Sequence, residues 1–346
     1  MKSYKYTILI LIVFLIVPGL IYARQKEGLQ KVIKKEFSVT QNAILKISNS
    51  FGDVTCTIWE KNEISIEVTI SVETTSVSNA DKIFSRIDIS FRGSDSEVEA
   101  ATKLAKNFNT KGDFNIDYKV MMPSSVALHL INKFGDVMIK ELFAKSEIRV
   151  EYGKASLGKL NHGDNLLEVA FGSASIESMK GAVVMIQFSK MRLGYAGSLR
   201  LKSKYSDIQA GEVIVLDGTF EGGSIDLDHV SVLIVESKFS SFDIGMVKQK
   251  INLKMQFGSF EVKGISPEFK SLVIDNQHGS VKIAMPEDLN YTLDARVQFG
   301  SIKFPKSRAS FSVMNVSSQE ELYQGTVGTN PTATVKIRSE FGSIKL

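Results

Sequence analysis

The chain has 346 residues, 43% of them hydrophobic, with 42 Lys+Arg against 38 Asp+Glu for a formal net charge of +4. That length and apolar content can build a sizeable core, and so small a charge leaves no footprint for nucleic acid or an anionic membrane. The single cysteine, Cys56, excludes an internal disulfide, so the fold must be held by packing.

Residues 1–23 read as an export signal. Lys2 and Lys5 form the basic n-region, Ile8 to Val17 is an unbroken apolar stretch, and Pro18 and Gly19 precede a cleavage point placed after Ala23. The apolar stretch is short for a membrane span, and no Cys follows it for lipid attachment. Cleavage removes Lys2 and Lys5 and lowers the formal charge from +4 to +2. Residues 24–36 are polar and lysine-rich and are expected to form a flexible leader.

Residues 37–123 hold a first repeat and an insertion. Leu45, Ile47 and Asn49 share one face before Phe51, and Val54, Cys56 and Ile58 resume it after the turn; Cys56 is expected to be buried. Within the insertion, Ser78 to Ile87 is the one predicted helix, capped by Ser78 with Asp81 three residues on. Ile87–Phe91 and Phe114–Met122 are predicted strands, with a loop across 93–112. The insertion, about 74–123, is expected to cap the open end of the repeats or to lie beside them as a flap.

Residues 124–346 are repetitive. Four to six residues of apolar/polar alternation lead to an aromatic, then usually Gly, then Asp or Ser, then an apolar residue. The aromatic positions are Phe51, Phe134, Tyr152, Phe171, Phe188, Tyr205, Phe239, Phe257, Phe299 and Phe341, with His278 in the same slot and Phe220 marking a degraded copy. From Phe134 the steps are 18, 19, 17, 17, 34, 18, 21, 21 and 42 residues, a period of about 19 in which the two long steps are double. A strand-type pattern with such a period is the signature of a solenoid. Positions two and four before the aromatic, such as Ile148, Val150, Leu167, Val169, Leu253 and Met255, are expected inward. So are the aromatics, stacked as an internal ladder along a rod on the order of 50 Å. Glu236, Lys254, Asp275 and Arg296 alternate in sign three before the aromatic, as in-register parallel neighbours should. Residues 305–334 lose the alternation and read as one wide or irregular coil, and the chain closes with a last strand ending at Leu346.

The turn residues Phe51, Gly52, Phe134, Gly135, Phe171, Gly172, Phe257, Gly258, Phe299, Gly300, Phe341 and Gly342 are structural in this reading: glycine permits the sharp backbone, and the following Asp or Ser bonds a turn N–H. Inward polar groups two before the aromatic, Asn49, Asn132, Ser203, Ser237, Asn276 and Ser339, are expected to satisfy turn backbone.

The segments NSFGDVTCTIWEKNEISIEV, NKFGDVMIKEL, EYGKASLGKL and AFGSASIESM resemble the bacterial envelope family called "putative adhesins", related to the autotransporter-adhesin head GIN domain. The resemblance covers most of the mature chain and implies a right-handed parallel β-helix outside the cytoplasm; it supplies no catalytic residues. The expected fold is thus all-β, a right-handed parallel β-helix (β-solenoid) of about twelve coils with one short helix in the N-terminal insertion.

Chemistry is sparse. His129, His162, His229 and His278 lack metal-ligand spacing, no phosphate loop or nucleophile elbow is present, and neither cofactor nor metal is expected. Residues for surface contact are Gln256, Gln277 and Gln298, an outward amide row, and the aromatic Trp59 with Tyr195; a solvated ladder and corner packing are the alternatives. A glycan-active enzyme would need clustered acids on one face, whereas outward acids and bases here are expected to alternate. The function expected is non-catalytic surface contact at the cell surface, outer membrane or periplasm, with a glycan or envelope protein as partner. The alternative is an envelope scaffold resembling the bactofilins, self-associating end to end.

Overall fold

Alternation with period two dictates the architecture, because it buries one face of every strand. In this computed structural model, which describes residues 28–108 and 113–346, the chain is all-β apart from one α-helix, Val77–Phe84, and one 3-10 turn, Lys306–Arg308. The export signal, its cleavage point and residues 24–27 lie outside the described residues.

Strands that precede the aromatic form one flank, and strands that follow it form a second. On the first, Ile44–Ser50, Ala127–Lys133, Ser146–Glu151, Asn165–Ala170 and the second half of Ser173–Gln187 pair in parallel, one repeat apart. Their register aligns Ile47, Leu130, Ile148, Leu167, Val184 and Leu201 in one buried column. The second flank aligns Cys56, Ile139, Leu157, Ile176 and Leu193 in another. The two flanks enclose a single core cluster, and the apolar positions two and four before the aromatic, among them Ile148, Val150, Leu167, Val169, Leu253 and Met255, are buried. Phe220, Phe242 and Phe260 are packed in the core, with ring centroids 5.1 and 5.5 Å apart.

At the N-terminal end the insertion extends both flanks. Glu97–Leu104 lies parallel to Ile44–Ser50, and Phe114–Pro123 lies parallel to Val54–Trp59; outside them Ile87–Gly93, Glu63–Val72 and Leu29–Ser38 add antiparallel. Three expectations are corrected here. Residues 29–36 are not a loose leader but part of an edge strand, tied by its backbone to Glu63–Val72. Residues 97–104 are a strand within the expected loop, because Val98 and Ala100 face the core and Thr102 hydrogen-bonds Asn49 Oδ1 at 2.8 Å. The helix cap is Ser76, not Ser78: its side chain accepts from Asn79 N.

At the C-terminal end the spatial order departs from the chain order. Ala333–Glu340 inserts between Ser271–Ile283 and Tyr291–Gln298, parallel to both, and Ser343–Lys345 likewise separates the short strand Ser301–Lys303 from its predecessor. Residues 305–334 are not a wide coil; they contain an antiparallel hairpin, Ala309–Val316 with Glu320–Val327, laid against Tyr291–Gln298. The last strand of the sequence is therefore covered on both sides. Parallel pairing in chain order holds through the middle, and antiparallel strands are added at both ends.

This order also corrects two side-chain rows. Glu236 and Lys254 pair at 3.8 Å and Lys254 lies in register with Asp275, but the neighbour of both Asp275 and Arg296 is Arg338. The two guanidinium groups avoid each other, Arg338 reaching Asp294 at 2.8 Å and Arg296 reaching Glu320 at 2.5 Å. Gln256 Nε2 does donate a hydrogen bond to Gln277 Oε1 at 3.0 Å, whereas Glu340 separates Gln277 from Gln298, which donates to Glu320 at 3.2 Å.

Candidate functional site: an exposed aromatic ladder beside a polar trough

The turn between the flanks creates the site. Every aromatic of the repeat, His278 included, has a left-handed backbone with φ between +48° and +65°. That conformation breaks the alternation, so the ring that parity counting sends inward points to solvent instead. From Phe134 to Phe341 the Phe and Tyr rings of the slot are 42–64% exposed. The expected internal ladder is therefore corrected to an external one. A bulky residue at such φ is strained, and the stacking of successive rings offsets it.

The ladder has two runs. Phe51, Phe134, Tyr152, Phe171, Phe188 and Tyr205 stack at 5.0–5.4 Å with planes within 15° of parallel. Phe239, Phe257, His278, Phe341 and Phe299 stack at 4.9–5.0 Å within 9°. Between the runs the slot is Gly222, φ +70°, seventeen residues from both Tyr205 and Phe239. Phe220, which the sequence suggests for this slot, is 1% exposed in the core.

Buried asparagines hold the turn beneath the rings, whereas the hydroxyls of Ser203 and Ser237, expected to do the same, are buried without a hydrogen-bond partner because the turn carbonyls are out of their shorter reach. Asn49 Nδ2 donates to Ile116 O at 2.9 Å, Asn132 Nδ2 to Gly52 O at 3.0 Å, and Asn276 Nδ2 to Gly279 O at 3.0 Å. Turn carboxylates link successive repeats: Asp117 Oδ1 accepts from Asp53 N, Asp53 Oδ1 from Asp136 N, and Asp136 Oδ1 from Lys154 N, each at 2.8 Å. Burial, with Asp53 nearby, pushes the Asp117 carboxyl upward despite the bond from Asp53 N. Gly153 and Gly172 are required by close approach, since a Cβ on either would lie 2.0 Å from the carbonyl oxygen of the previous repeat's turn.

Beside the ladder lies a trough of about 590 Å³. Its floor is a row of short side chains two after the slot, Ser224, Ser241, Ser259 and Ser280, with Asp207. Its far wall, two residues on, is Arg192, Gln209, Asp226, Asp243, Glu261 and Lys282. Three acids thus stand on successive repeats, against the expectation of alternating charge, because steps of 17 and 18 residues bring Asp226, Asp243 and Glu261 into one row. Lys263 Nζ lies 2.6 Å from Asp243 and Lys282 Nζ lies 2.6 Å from Glu261. The bond to Asp243 raises the Lys263 amine above its ordinary value. On the other side of the ladder, Lys204 hydrogen-bonds Glu221 at 3.1 Å and holds its carboxyl below the usual range.

Trp59 is half-buried at a corner: Nε1 donates to Glu63 O at 2.7 Å and Lys61 Nζ covers the ring at 4.9 Å. Tyr195 is 40% exposed and stands outside the ladder. Among the described residues no cluster of His, Cys, Asp or Glu could hold a metal, and no helix is long and apolar enough to cross a membrane.

No family model matches the chain, and no curated protein is similar to it. A crystal structure described as a "putative cell adhesion protein" from Clostridium sporogenes is similar at 10% identity over 92% of this chain and 98% of that one, with a TM-score of 0.20. Two described as a "putative adhesin" are similar as well. The one from Parabacteroides distasonis is 16% identical over 75% of this chain and 98% of its own, TM-score 0.38; that from Parabacteroides merdae is 14% identical over 73% and 96%, TM-score 0.35. Likeness at this level carries no argument about function.

Proposed function

We propose that the protein is an exported, non-catalytic right-handed parallel β-helix of about twelve coils that acts by surface contact, as an adhesin or envelope-binding protein, with a glycan or an envelope protein as its partner. The observation that carries this reading is the exposed ladder. A fold with its own apolar core does not need eleven further rings in a solvent-facing ridge, and a ridge of apolar edges beside a trough of hydroxyls and charges is a contact surface. The non-catalytic part rests on the trough carboxylates, of which Asp243 and Glu261 are tied to lysines rather than poised as an acid and base pair. The test compares retention on isolated cell-envelope fractions of wild type with the trough variant S241R/S259R/S280R and with N252R/T292R, two exposed sites on the first flank. Loss confined to the trough variant is expected; equal retention by all three would remove the trough from the contact.

The scaffold alternative has one observation in its favour, at a different strand from the one the sequence suggests. Ala309–Val316 is an outer edge with no charged side chain, and it exposes Val313, Met314 and Val316. The other long edge, Leu29–Ser38, carries four charged residues, Lys31, Lys34, Lys35 and Glu36. Concentration-dependent sedimentation that V316K abolishes would favour the scaffold, and a monomer at all concentrations would dismiss it.

A further inference from the structure

We propose that the break in the ladder at Gly222 is a sugar-binding slot, in which one pyranose ring of a neutral or amino-sugar glycan lies between Tyr205 and Phe239 while neighbouring units run into the trough. This rests on the surface-contact reading above and gives it a site. Three independent features meet at the break.

The backbone continues the ladder through Gly222 in the left-handed conformation of its neighbours, yet no ring is there. Two ladder steps separate Tyr205 from Phe239, about 10 Å at the strand spacing, so one ring-sized space is bounded by two aromatic faces. These two rings are the most exposed of the slot, 55% and 64%, where the four before them are 49–52%. Tyr205 covers the floor of the space: Gly222 is buried, an added Cβ there would meet Tyr205 Cδ1 at 2.8 Å, and Phe220 is in the core, so a ligand ring would lie above Gly222 between the outer parts of the two aromatics.

The chemistry around the space is that of a carbohydrate site. A pyranose presents C–H groups on its faces, which stack on aromatic rings, and hydroxyls on its rim, which need polar partners. On one rim stand Glu221, which accepts from Tyr205 Oη at 3.3 Å, with Lys204. On the other, the repeat of Gly222 itself supplies Ser224 and Asp226 to the middle of the trough. Ser224 Oγ donates to Asp207 Oδ1 at 2.7 Å, leaving the second carboxylate oxygen to accept from a ligand. The trough volume of about 590 Å³ suits a ligand of several rings. Asp207 and Asp226 at its centre disfavour a carboxylate there and favour hydroxyl-rich or amino sugars, while Asp243 is paired with Lys263 and the lining also includes Lys190, Arg192 and Lys282.

The test uses the full mature chain with saturation-transfer NMR against cello-, chito-, manno- and xylo-hexaose, and with hexagalacturonate as the acidic control. Saturation of ring C–H protons in at least one neutral or amino sugar is expected, with at least tenfold weaker binding by Phe239→Ala and by Gly222→Phe. The second variant inserts the missing ring where an added Cβ meets Tyr205 Cδ1 at 2.8 Å, so Tyr205 must turn back toward Phe188; a native circular-dichroism spectrum checks that the variant has folded. Sugar binding unchanged in both variants overturns the slot, as does binding of hexagalacturonate alone. Binding of a planar dye such as thioflavin T with no sugar bound also overturns it, and so does a sugar panel that gives no saturation at millimolar concentration. Envelope retention measured in parallel separates the two failures: retention that survives Gly222→Phe leaves the surface reading standing without the slot, and its absence in wild type removes both.

Discussion

Replacing Phe171 separately by Ala and by Gly tests the outward ladder. Phe171 stacks on Tyr152 at 5.0 Å and on Phe188 at 5.2 Å, has φ +55°, and is half exposed. Half of a ring's roughly 200 Å² is worth about 2.5 kcal/mol, and two stacks add about 0.5–1.5 kcal/mol each. Allowing for contact already present in the unfolded chain, Phe171→Ala should cost about 3 kcal/mol. Gly loses the same contacts but relieves the left-handed strain of about 1–2 kcal/mol, partly offset by the greater freedom of unfolded glycine, about 0.5–1 kcal/mol. Phe171→Gly should therefore be more stable than Phe171→Ala by about 0.5–1 kcal/mol, the reverse of the usual order in a strand. Urea unfolding followed by circular dichroism, at equal m-values, reads the difference. If Ala proved the more stable of the two, the ring would not sit on a left-handed backbone, and the ladder would not be external.

Three further outcomes follow from the packing. The strand order at the C-terminal end predicts that Gln277→Cys/Glu340→Cys oxidises readily, because in-register parallel neighbours are about 4.8 Å apart; Gln277→Cys/Gln298→Cys, two strands apart, exceeds the disulfide limit and should not. The Cys56 thiol is buried and burial pushes it to about 12, so iodoacetamide at pH 8 should leave the native chain unmodified and add one equivalent after unfolding. Arg338 holds the Asp294 carboxyl below its ordinary value, chiefly through their hydrogen bond. The stabilisation is then complete above the ordinary Asp value of about 3.9 and is lost as pH falls through the depressed one. The thermal midpoint of Asp294→Asn should accordingly fall less than that of wild type between pH 5 and pH 2, whereas equal slopes would mean that the pair is not formed.

What was legible in the sequence is what period two records. Leu130, Ile148, Leu167 and Val184 are inward because alternation leaves them no other face, and the repeat spacing aligns them in a column. The aromatics were misdirected for a single physical reason: one left-handed residue reverses the parity on which the inward count depends, and Phe, Tyr or His rarely adopts that conformation outside such a stack. Gly222 could have been found by dividing the 34-residue step at its midpoint, but the ring of Phe220 two residues earlier drew the assignment to itself. The inserted C-terminal strand was hidden because Ser301–Lys303 and Ser343–Lys345 are the same three residues, SIK, so either fits beside Ser280 and Val281. The trough was missed because its acids are 17 and 18 residues apart, and the register that unites them shows only after folding.

Labelling of intact cells with a membrane-impermeant, amine-reactive biotin tests the central claim most directly, since exposed lysines such as Lys154 and Lys282 line the surface of the repeats. Surface contact predicts that the chain is biotinylated on intact cells to the same extent as in a lysate. Labelling only after lysis would place the ladder and trough out of reach of any external partner and would contradict the adhesin reading.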